Sequence, residues 1–317
     1  MEKEIGGYLE LERFSGESYY PYAVAVNNGR CALRYILRAR KIRKLYLPVF
    51  LCESVQCACD REGVETALYH IGPDFLPRFA QKPEENAWVY VVNYYGQLTD
   101  TQILSLHRRY PKLIMDHVQA FFHRPLPGID TVYSCRKYFG VPDGGYAMTD
   151  AVLHEKLPRD CSMDRMTHLL GRLEGPTAGE YYAAFKENDK SFVNAELRSM
   201  SELTGNLLRG IRYDAVKAQR EANFKALDDA LGADNPLHPR LPEGPYAYPF
   251  YCENGMALKQ ELAERRVFVP TLWPNVLKNG DALEKKLAAN ILPLPCDQRY
   301  STADMLWMLE EIKKCIC

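Results

Sequence analysis

The chain has 317 residues, of which 47% are hydrophobic and 26% charged, a composition typical of a soluble globular protein. Its length allows one large and one smaller domain. Lys and Arg number 40 and Asp and Glu 41, so the net charge of −1 gives no electrostatic reason to expect nucleic acid or an anionic membrane as a partner. No segment is apolar over a bilayer-spanning length, and the acidic N-terminus lacks a signal core. We therefore expect a cytoplasmic protein whose ten scattered cysteines are reduced and form no metal site.

Strands and helices alternate along the first half of the sequence. Apolar residues at helical spacing predict a helix over residues 30–42, directly after Gly29. A Thr/Asp cap predicts a second such helix over residues 99–110. This alternation, with strands that are apolar throughout, predicts a mostly parallel sheet covered by helices on both faces. The remaining predicted elements here are strands ending at Pro48, Ile71, Gly96, Asp116 and Ser134, and a helix over residues 53–63.

The second half of the sequence has a different pattern. Residues 164–231 are predicted to be mainly helical, including the stretch from Val193 onward, and a proline-rich connector follows over residues 234–245. The remainder predicts a smaller α+β domain, so the predicted domains are residues 1–230 and 231–317. Its predicted elements are a strand over residues 245–252, a helix and then a strand over residues 253–269, a strand over residues 290–295 and a final helix capped by Ser301 or Thr302.

Polar side chains follow four elements of the predicted sheet, at the points where strands end. Ligands of parallel α/β sheets bind at the carboxyl ends of the strands, so these side chains are expected to converge on one site. They lie at residues 27–29, Asn93, residues 116–119 and residues 134–137.

Two of these residues suggest a specific chemistry. The amine of Lys137 could form a Schiff base with an aldehyde, and pyridoxal 5′-phosphate is the usual partner of such a lysine. That cofactor accepts electrons only while its ring nitrogen is protonated, and the carboxylate of Asp116 would favour the protonated form. Taken singly, a lysine of this kind is more often a solvated surface residue, and an aspartate at a strand end more often caps a loop.

The other polar residues suit the rest of such a cofactor. Asn28, Gly29 and Arg30 open a helix whose N-terminus could hold a phosphate. Ser134 could add a hydroxyl to that phosphate, and Gln119 could donate to the ring hydroxyl. The pair Gly144 and Gly145 would let the backbone turn sharply beside the cofactor. Taken together, and in this order along the chain, these groups predict a pyridoxal-phosphate site, which none of them predicts alone.

Five segments resemble motifs of the DegT/DnrJ/StrS sugar aminotransferases, which are fold-type I pyridoxal-phosphate enzymes. In chain order they are NNGRCALRYIL, LPVFLCESV, VNYYGQ, IMDHVQAFF and SCRKYFGVPDGGYAMTD. ELRSMSEL resembles a helix start of the same family, and QREANFKALDDAL resembles one of its helices. The resemblance implies a large domain with a mostly parallel, seven-stranded type of sheet between helices and a smaller C-terminal α+β domain. It also implies a transaminase that moves an amino group from glutamate to a keto sugar carried by a nucleotide, in polysaccharide biosynthesis, and a homodimer. Phe50 would stack on the cofactor ring, although a shift of the alignment would select Cys52.

The sequence departs from the family pattern at several points. Ser134 and Lys137 are three positions apart where the family has five, and Cys135-Arg136 replaces the usual intervening His. Asp143 stands for a Glu, and Arg30 for the Thr of the phosphate loop.

Three alternatives follow from these departures and from the fold class. A degenerate relative could bind a nucleotide sugar or a partner protein without turnover, and the altered spacing keeps that alternative open. Relatives that remove a sugar hydroxyl replace the lysine with His, so Lys137 argues against that chemistry. A Rossmann enzyme would need Gly-x-Gly-x-x-Gly after the first strand, which VNNGRCAL does not supply.

Overall fold

A computed structural model describes residues 5–175 and 177–316, and the side chain of residue 316 is left out. Its main feature is an eight-stranded sheet in the order β1-β8-β7-β6-β5-β2-β3-β4. Strands β7, β6, β5, β2 and β3 are mutually parallel, whereas β8 runs antiparallel to both of its neighbours and β4 antiparallel to β3. A separate two-stranded antiparallel sheet pairs β10 with β9. The strands are β1 (Val24–Val26), β2 (Lys44–Pro48), β3 (Glu65–Ile71), β4 (Pro77–Arg78), β5 (Trp88–Val92), β6 (Leu113–Asp116), β7 (Asp130–Ser134), β8 (Gly145–Met148), β9 (Tyr248–Tyr251) and β10 (Ile291–Leu294).

Local sequence explains where the helices around the sheet begin. Asn28 caps α1, accepting a hydrogen bond from the Cys31 N–H through its side-chain oxygen. Thr99 and Gln102 form a reciprocal capping box at the start of α3. The helices are α1 (Gly29–Ala39), α2 (Glu53–Arg61), α3 (Asp100–Arg109), α4 (Thr167–Glu174), α5 (Tyr182–Ser191), α6 (Glu202–Arg209), α7 (Tyr213–Leu231), α8 (Gly255–Glu264), α9 (Val276–Asn279), α10 (Ala282–Asn290) and α11 (Thr302–Ile316).

The predicted α/β class is confirmed, and the sheet has eight strands because the two-residue β4 extends the edge beyond β3. Two local predictions are wrong. Residues 267–269 form no strand: β9 pairs with β10, and Val267 and Val269 contribute their side chains to an apolar cluster around that pair without joining its backbone hydrogen bonds. Residues 193–201 are not helical, because their backbone binds β1 and the residue after it: the Met200 N–H donates to the Ala25 carbonyl at 3.2 Å, and the Asn27 N–H donates to the Arg198 carbonyl at 3.0 Å.

Buried apolar side chains form a large cluster around the main sheet and a second cluster around β9 and β10. Phe224 and Leu227 of α7 belong to the second cluster, together with Met308 and Ile312 of α11. The predicted domain boundary after residue 230 falls at the end of α7 and stays a prediction. Across residues 5–175 and 177–316, no helix combines the length and apolarity needed to cross a bilayer.

Candidate functional site

The pairing register brings the carboxyl ends of β1, β5, β6 and β7 to one edge of the sheet. Gly145 at the start of β8 pairs with Val26 on one side and with Ser134 on the other. Asp116 at the end of β6 pairs with Val92 of β5 and with Val132 of β7. The four polar stretches selected from the sequence therefore lie together, as the parallel topology requires.

The N-terminus of α1 is packed tightly against this edge. A Cβ on Gly29 would lie 3.4 Å from the Ser134 Cβ and 3.6 Å from Val118. A Cβ on Gly145 would lie 2.6 Å from the Asn28 carbonyl carbon, so any larger residue there would displace the start of α1. Gly144 has a φ of +114°, a conformation that favours glycine, and its N–H donates to the Asn27 carbonyl at 2.7 Å. The N-terminus of α1, the glycine pair and Ser134 are thus packed closely together, and a helix N-terminus at such a place favours an anion.

Asp116 is buried, with 3% of its surface exposed. The Tyr90 hydroxyl donates to its Oδ2 at 2.7 Å, and the Val118 N–H donates to its Oδ1 at 2.8 Å. Burial raises the pKa of Asp116 above its usual value, and these two hydrogen bonds and the positive charge of Lys137 act in the opposite direction. The carboxylate is thus oriented by two donors and lies within the electrostatic range of the Lys137 amine.

Lys137 ends a short 3₁₀ turn, Cys135–Lys137, that follows β7 directly. Its side chain is exposed, and its amine lies 5.4 Å from the centre of the Tyr246 ring. The next residue is held firmly, because the Tyr138 carbonyl accepts hydrogen bonds from Arg220 at 3.2 Å and from Gln298 at 2.8 Å. The turn therefore fixes the backbone at Lys137 while the amine stays accessible.

Two buried amide groups at this edge have donors without a partner among the described residues. Gln119 accepts a hydrogen bond from the Tyr95 N–H at 2.9 Å through its side-chain oxygen, and its Nε2 is unpaired. Asn28 uses its Oδ1 to cap α1, and its Nδ2 is unpaired. Buried polar atoms are nearly always hydrogen-bonded, so each unpaired donor indicates a missing acceptor. A phosphate and a ring hydroxyl are acceptors of the required kind, and the residues present fit the predicted cofactor.

Neither family models nor curated proteins match the sequence, whereas solved structures match over most of it. A DegT DnrJ EryC1 StrS aminotransferase from Brucella abortus is 17% identical, with a TM-score of 0.62 over 92% of this chain and 85% of that one. The sugar aminotransferase CalS13 from Micromonospora echinospora is 16% identical, with a TM-score of 0.62 over 93% and 87%. NtdA from Bacillus subtilis, solved with bound cofactor PMP, is also 16% identical, with a TM-score of 0.62 over 92% and 73%. The chain has the fold of these aminotransferases. The aminotransferase fold expected from the sequence motifs is thereby confirmed.

Within this aminotransferase fold, Phe50 lies away from open space. Its ring is fully buried, and the centres of the Trp273 and Tyr94 rings lie 4.7 and 5.4 Å from it. The Tyr94 hydroxyl donates to the Phe50 carbonyl. The structure thus places Phe50 in the core behind the site, and its role as the stacking residue stays a prediction. Cys52, the alternative choice, is exposed at the N-cap of α2.

Residues of the other segments selected from the sequence connect the site to distant parts of the chain. Asp143 is fully buried and accepts hydrogen bonds from the Ser201 N–H at 2.9 Å and from the Ser201 and Thr204 hydroxyls, so it joins the glycine loop to the start of α6. Asn223 of α7 donates to the Tyr300 carbonyl at 2.8 Å. These residues support the site from outside it.

Sequence reasoning missed three residues that contact the predicted site residues or their neighbours: Tyr90, Tyr246 and Arg220. Tyr90 was detectable in principle, because it precedes Val92, the β5 partner of Asp116, by two positions and so shares that residue's face of the sheet. Tyr246 lies 109 positions beyond Lys137 (246 − 137), and no local pattern connects the two.

The sequence analysis also missed a cluster of possible metal ligands beside α10. Ligand atoms of His70, Asp281 and Glu284 lie within 4.8 Å of one another. These atoms are already engaged: the Ile71 N–H donates to Glu284 at 3.1 Å, His70 bonds the same carboxylate at 2.8 Å, and Arg78 pairs with Asp281. Together with the Asp281–Glu284 capping box, these bonds explain the cluster as the anchor of α10 against β3.

Proposed function

We propose that this protein is a pyridoxal-phosphate-dependent aminotransferase. The observation that carries the proposal is the placement of Lys137 and Asp116 at adjacent strand ends, within electrostatic range, beside a helix N-terminus. The unpaired donors of Asn28 and Gln119 support it, because the cofactor offers acceptors for both. The aminotransferases that share the fold support it further.

In this proposal Lys137 would hold the cofactor through its amine, and the bound cofactor would supply an electron sink for breaking a C–H bond of an amino acid. The free Lys137 amine would move the proton from the substrate carbon to the cofactor carbon, acting first as general base and then as general acid. Its exposure and the rigid turn beneath it suit a group that must move between two partners. Asp116, whose carboxylate is oriented by Tyr90 and Val118, would keep the proton on the ring nitrogen.

The proposal assigns the remaining predicted residues to binding. Asn28, Gly29, Arg30 and Ser134 would hold the phosphate, since a Cβ added to Gly29 would lie only 3.4 Å from the Ser134 Cβ. Gln119 would donate to the ring hydroxyl. Phe50 would contribute to stacking only after a change in its packing, because its ring faces Trp273 and Tyr94.

For the substrates, we propose glutamate as the amino donor and a keto sugar carried by a nucleotide as the acceptor, since sugar aminotransferases share the fold. We further propose a cytoplasmic homodimer in which the partner covers the exposed Lys137. Incubating the protein with the cofactor, glutamate and a panel of nucleotide-linked keto sugars, and following 2-oxoglutarate, tests the substrates. Light scattering tests the dimer, which a strictly monomeric active enzyme would contradict.

The cofactor assignment is tested on Lys137. Wild-type protein mixed with pyridoxal phosphate should absorb above 400 nm, and borohydride reduction followed by peptide mass spectrometry should find the cofactor on Lys137. Lys137→Ala should lose both signals, whereas Lys112→Ala, a surface control, should retain them. Asp116→Asn should keep the bound cofactor and lose most activity. Normal turnover by Lys137→Ala would refute the mechanism.

The second candidate is a relative that binds a nucleotide sugar or a partner protein without turnover. The observation that favours it is the spacing of Ser134 and Lys137, which are three positions apart where the family resemblance leads us to expect five. A colourless protein that binds nucleotide sugar but no pyridoxal phosphate would establish this alternative.

A further inference from the structure

Arg220 of α7 is a buried cation that the proposed mechanism does not use. Only 1% of the residue is exposed. In the part of the chain that the structure describes, it forms no ion pair with a carboxylate. Burying a charge without such a partner is costly unless hydrogen bonds compensate for it, so apolar packing alone does not account for this residue. The groups that bind its guanidinium therefore indicate what it does.

Three separate segments supply those groups, and all of them are neutral. The guanidinium donates to the Gln298 side-chain oxygen at 2.7 Å, to the Pro245 carbonyl at 2.8 Å and to the Tyr138 carbonyl at 3.2 Å. It also lies 4.5 Å from the centre of the Tyr138 ring. Gln298 donates in turn to the Tyr138 carbonyl at 2.8 Å. Arg220 thus fixes the backbone at residue 138 relative to the backbone at residue 245.

Both of these backbone positions adjoin a side chain at the candidate site. Tyr138 directly follows Lys137, and Pro245 directly precedes Tyr246. The Lys137 amine lies over the Tyr246 ring, 5.4 Å from its centre, which is within the range of a cation–π contact. The Tyr246 ring is partly buried and packs 6.1 Å from the Tyr138 ring, whereas the Lys137 side chain is exposed. The ring is therefore the fixed member of this pair, and the amine is the mobile one.

The connector that leads to Tyr246 is attached to α7 at consecutive residues. Glu243 pairs with Lys217 at 2.8 Å, and the Gly244 N–H donates to Glu221 at 3.1 Å. The next carbonyl along the connector is the one that binds the guanidinium. One face of α7 therefore sets the position of the Tyr246 ring.

The position of this ring affects the Lys137 amine because a lysine side chain is a flexible stem with many rotamers. A cation–π contact at an exposed site favours the rotamers that make it by about two- to fivefold. The contact requires the ring and the start of the lysine side chain to keep their separation. Arg220 binds the backbone next to each of them, so this one side chain maintains that separation.

We propose that Arg220 and Tyr246 are positioning residues for Lys137: the Tyr246 ring holds the Lys137 amine, and Arg220 fixes the turn and the connector that carry the two side chains. The proposal rests on the proposed function for the use of the amine, but not for the contact between the amine and the ring. Both residues act through Lys137, and neither takes part in the chemistry itself.

The contact is measured by NMR on the cofactor-free protein. Reductive methylation with ¹³C-labelled formaldehyde labels the lysines and keeps their positive charge, and the signal of Lys137 is the one that is missing from Lys137→Arg. In wild type we expect this signal to lie upfield of the signals of other exposed lysines, because its methyl groups face the Tyr246 ring. Tyr246→Leu should abolish this displacement, and Tyr246→Phe, which keeps a ring, should preserve it.

Arg220→Met tests the positioning role. It should reduce the displacement about twofold or more, because the turn and the connector lose their common attachment. Arg240→Met is the matched control: the Arg240 guanidinium lies in the same connector and also binds only backbone carbonyls, those of residues 96–98, so its loss should leave the displacement unchanged. Circular dichroism confirms that each variant is folded. If Arg220→Met does not fold, Gln298→Leu, which removes one bond to the guanidinium and one to the Tyr138 carbonyl, should give a smaller reduction.

Borohydride reduction in the presence of pyridoxal phosphate, followed by peptide mass spectrometry, separates the failure of this proposal from that of the proposed function. A displaced Lys137 signal that needs Arg220, in a protein that forms no adduct on Lys137, would support the positioning and refute the proposed function. An adduct on Lys137, in a protein whose Lys137 signal is not displaced or does not respond to Arg220→Met, would overturn the positioning and leave the proposed function intact.

Discussion

The hydroxyl of Tyr90 is expected to stabilise the ionised form of Asp116, and Tyr90→Phe removes only that hydroxyl. In the structure the hydroxyl donates to Asp116 Oδ2 at 2.7 Å, and both residues are buried. A hydrogen bond to a charged acceptor contributes about 1.5–3 kcal/mol, against about 1 kcal/mol for a neutral one. We therefore expect Tyr90→Phe to lower the free energy of unfolding by about 1.5–3 kcal/mol at neutral pH.

The loss should depend on pH, and its sign follows from the direction of the pKa. Burial raises the pKa of Asp116 in the folded state, so the stability linked to this group is fully present below its unfolded pKa and is lost as pH rises through the folded pKa. The Tyr90 hydrogen bond lowers this pKa, so removing it raises the pKa further and enlarges the loss at higher pH. In acid, where the carboxyl is protonated, the difference between wild type and variant should shrink to about 1 kcal/mol, the contribution of a neutral hydrogen bond.

The assay is urea unfolding of the cofactor-free protein at several pH values from acid to neutral. Tyr69→Phe is the matched control, because the Tyr69 hydroxyl is also buried and also donates at 2.7 Å, but to the neutral backbone carbonyl of Tyr90. The free energy of unfolding of Tyr69→Phe should be lower than that of wild type by about 1 kcal/mol at every pH. Equal, pH-independent losses for Tyr90→Phe and Tyr69→Phe would refute the reasoning.

Three other substitutions test the supports of the site. Gly145→Ala should weaken pyridoxal phosphate binding at least tenfold in an absorbance titration, because its Cβ would lie 2.6 Å from the Asn28 carbonyl carbon, whereas Gly140→Ala, with its nearest contact at 3.7 Å, should bind normally; equal binding by both would contradict the close approach. Asp143→Ala should destabilise the protein by about 3 kcal/mol in urea unfolding, because buried donors lose their acceptor, and a loss below about 1 kcal/mol would refute that role. Arg220→Leu should increase hydrogen exchange at Tyr138 and its neighbours, and unchanged protection would show that its bond to the Tyr138 carbonyl does not fix this turn.

The parts of the fold that local patterns determine were predictable. Strand β2 ends at Pro48 as expected, and Thr99 caps α3 as expected, because burial on both faces and capping are written into consecutive residues. Residues 267–269 were predicted wrongly because their apolar pattern fits a buried strand and an extended connection equally well. Only the pairing partner distinguishes the two, and pairing is a long-range property.

In the candidate site, too, local sequence predicts some features, and long-range contacts determine the others. The placement of Asp116 and Ser134 at one sheet edge follows from parallel topology, which sequence alternation indicates. The contacts of Tyr90 and Arg136 depend on side-chain direction and on residues far along the chain. Arg136 shows this clearly, since its ring partner Phe192 lies 56 positions away (192 − 136) in a segment with no motif of its own.

The pairing of Gly145 with Val26 and Ser134 also sets an order of events during synthesis. Strand β1 is made first, but its neighbour in the sheet is β8. At about 5–20 residues per second, roughly 6–24 s separate the translation of residue 26 from that of residue 145. Until β8 emerges, β1 has no strand to pair with and the first turn of α1 has no fixed position. A nascent chain that ends between residues 138 and 144 contains Asp116 and Lys137 but lacks β8, the strand that brings the start of α1 to them.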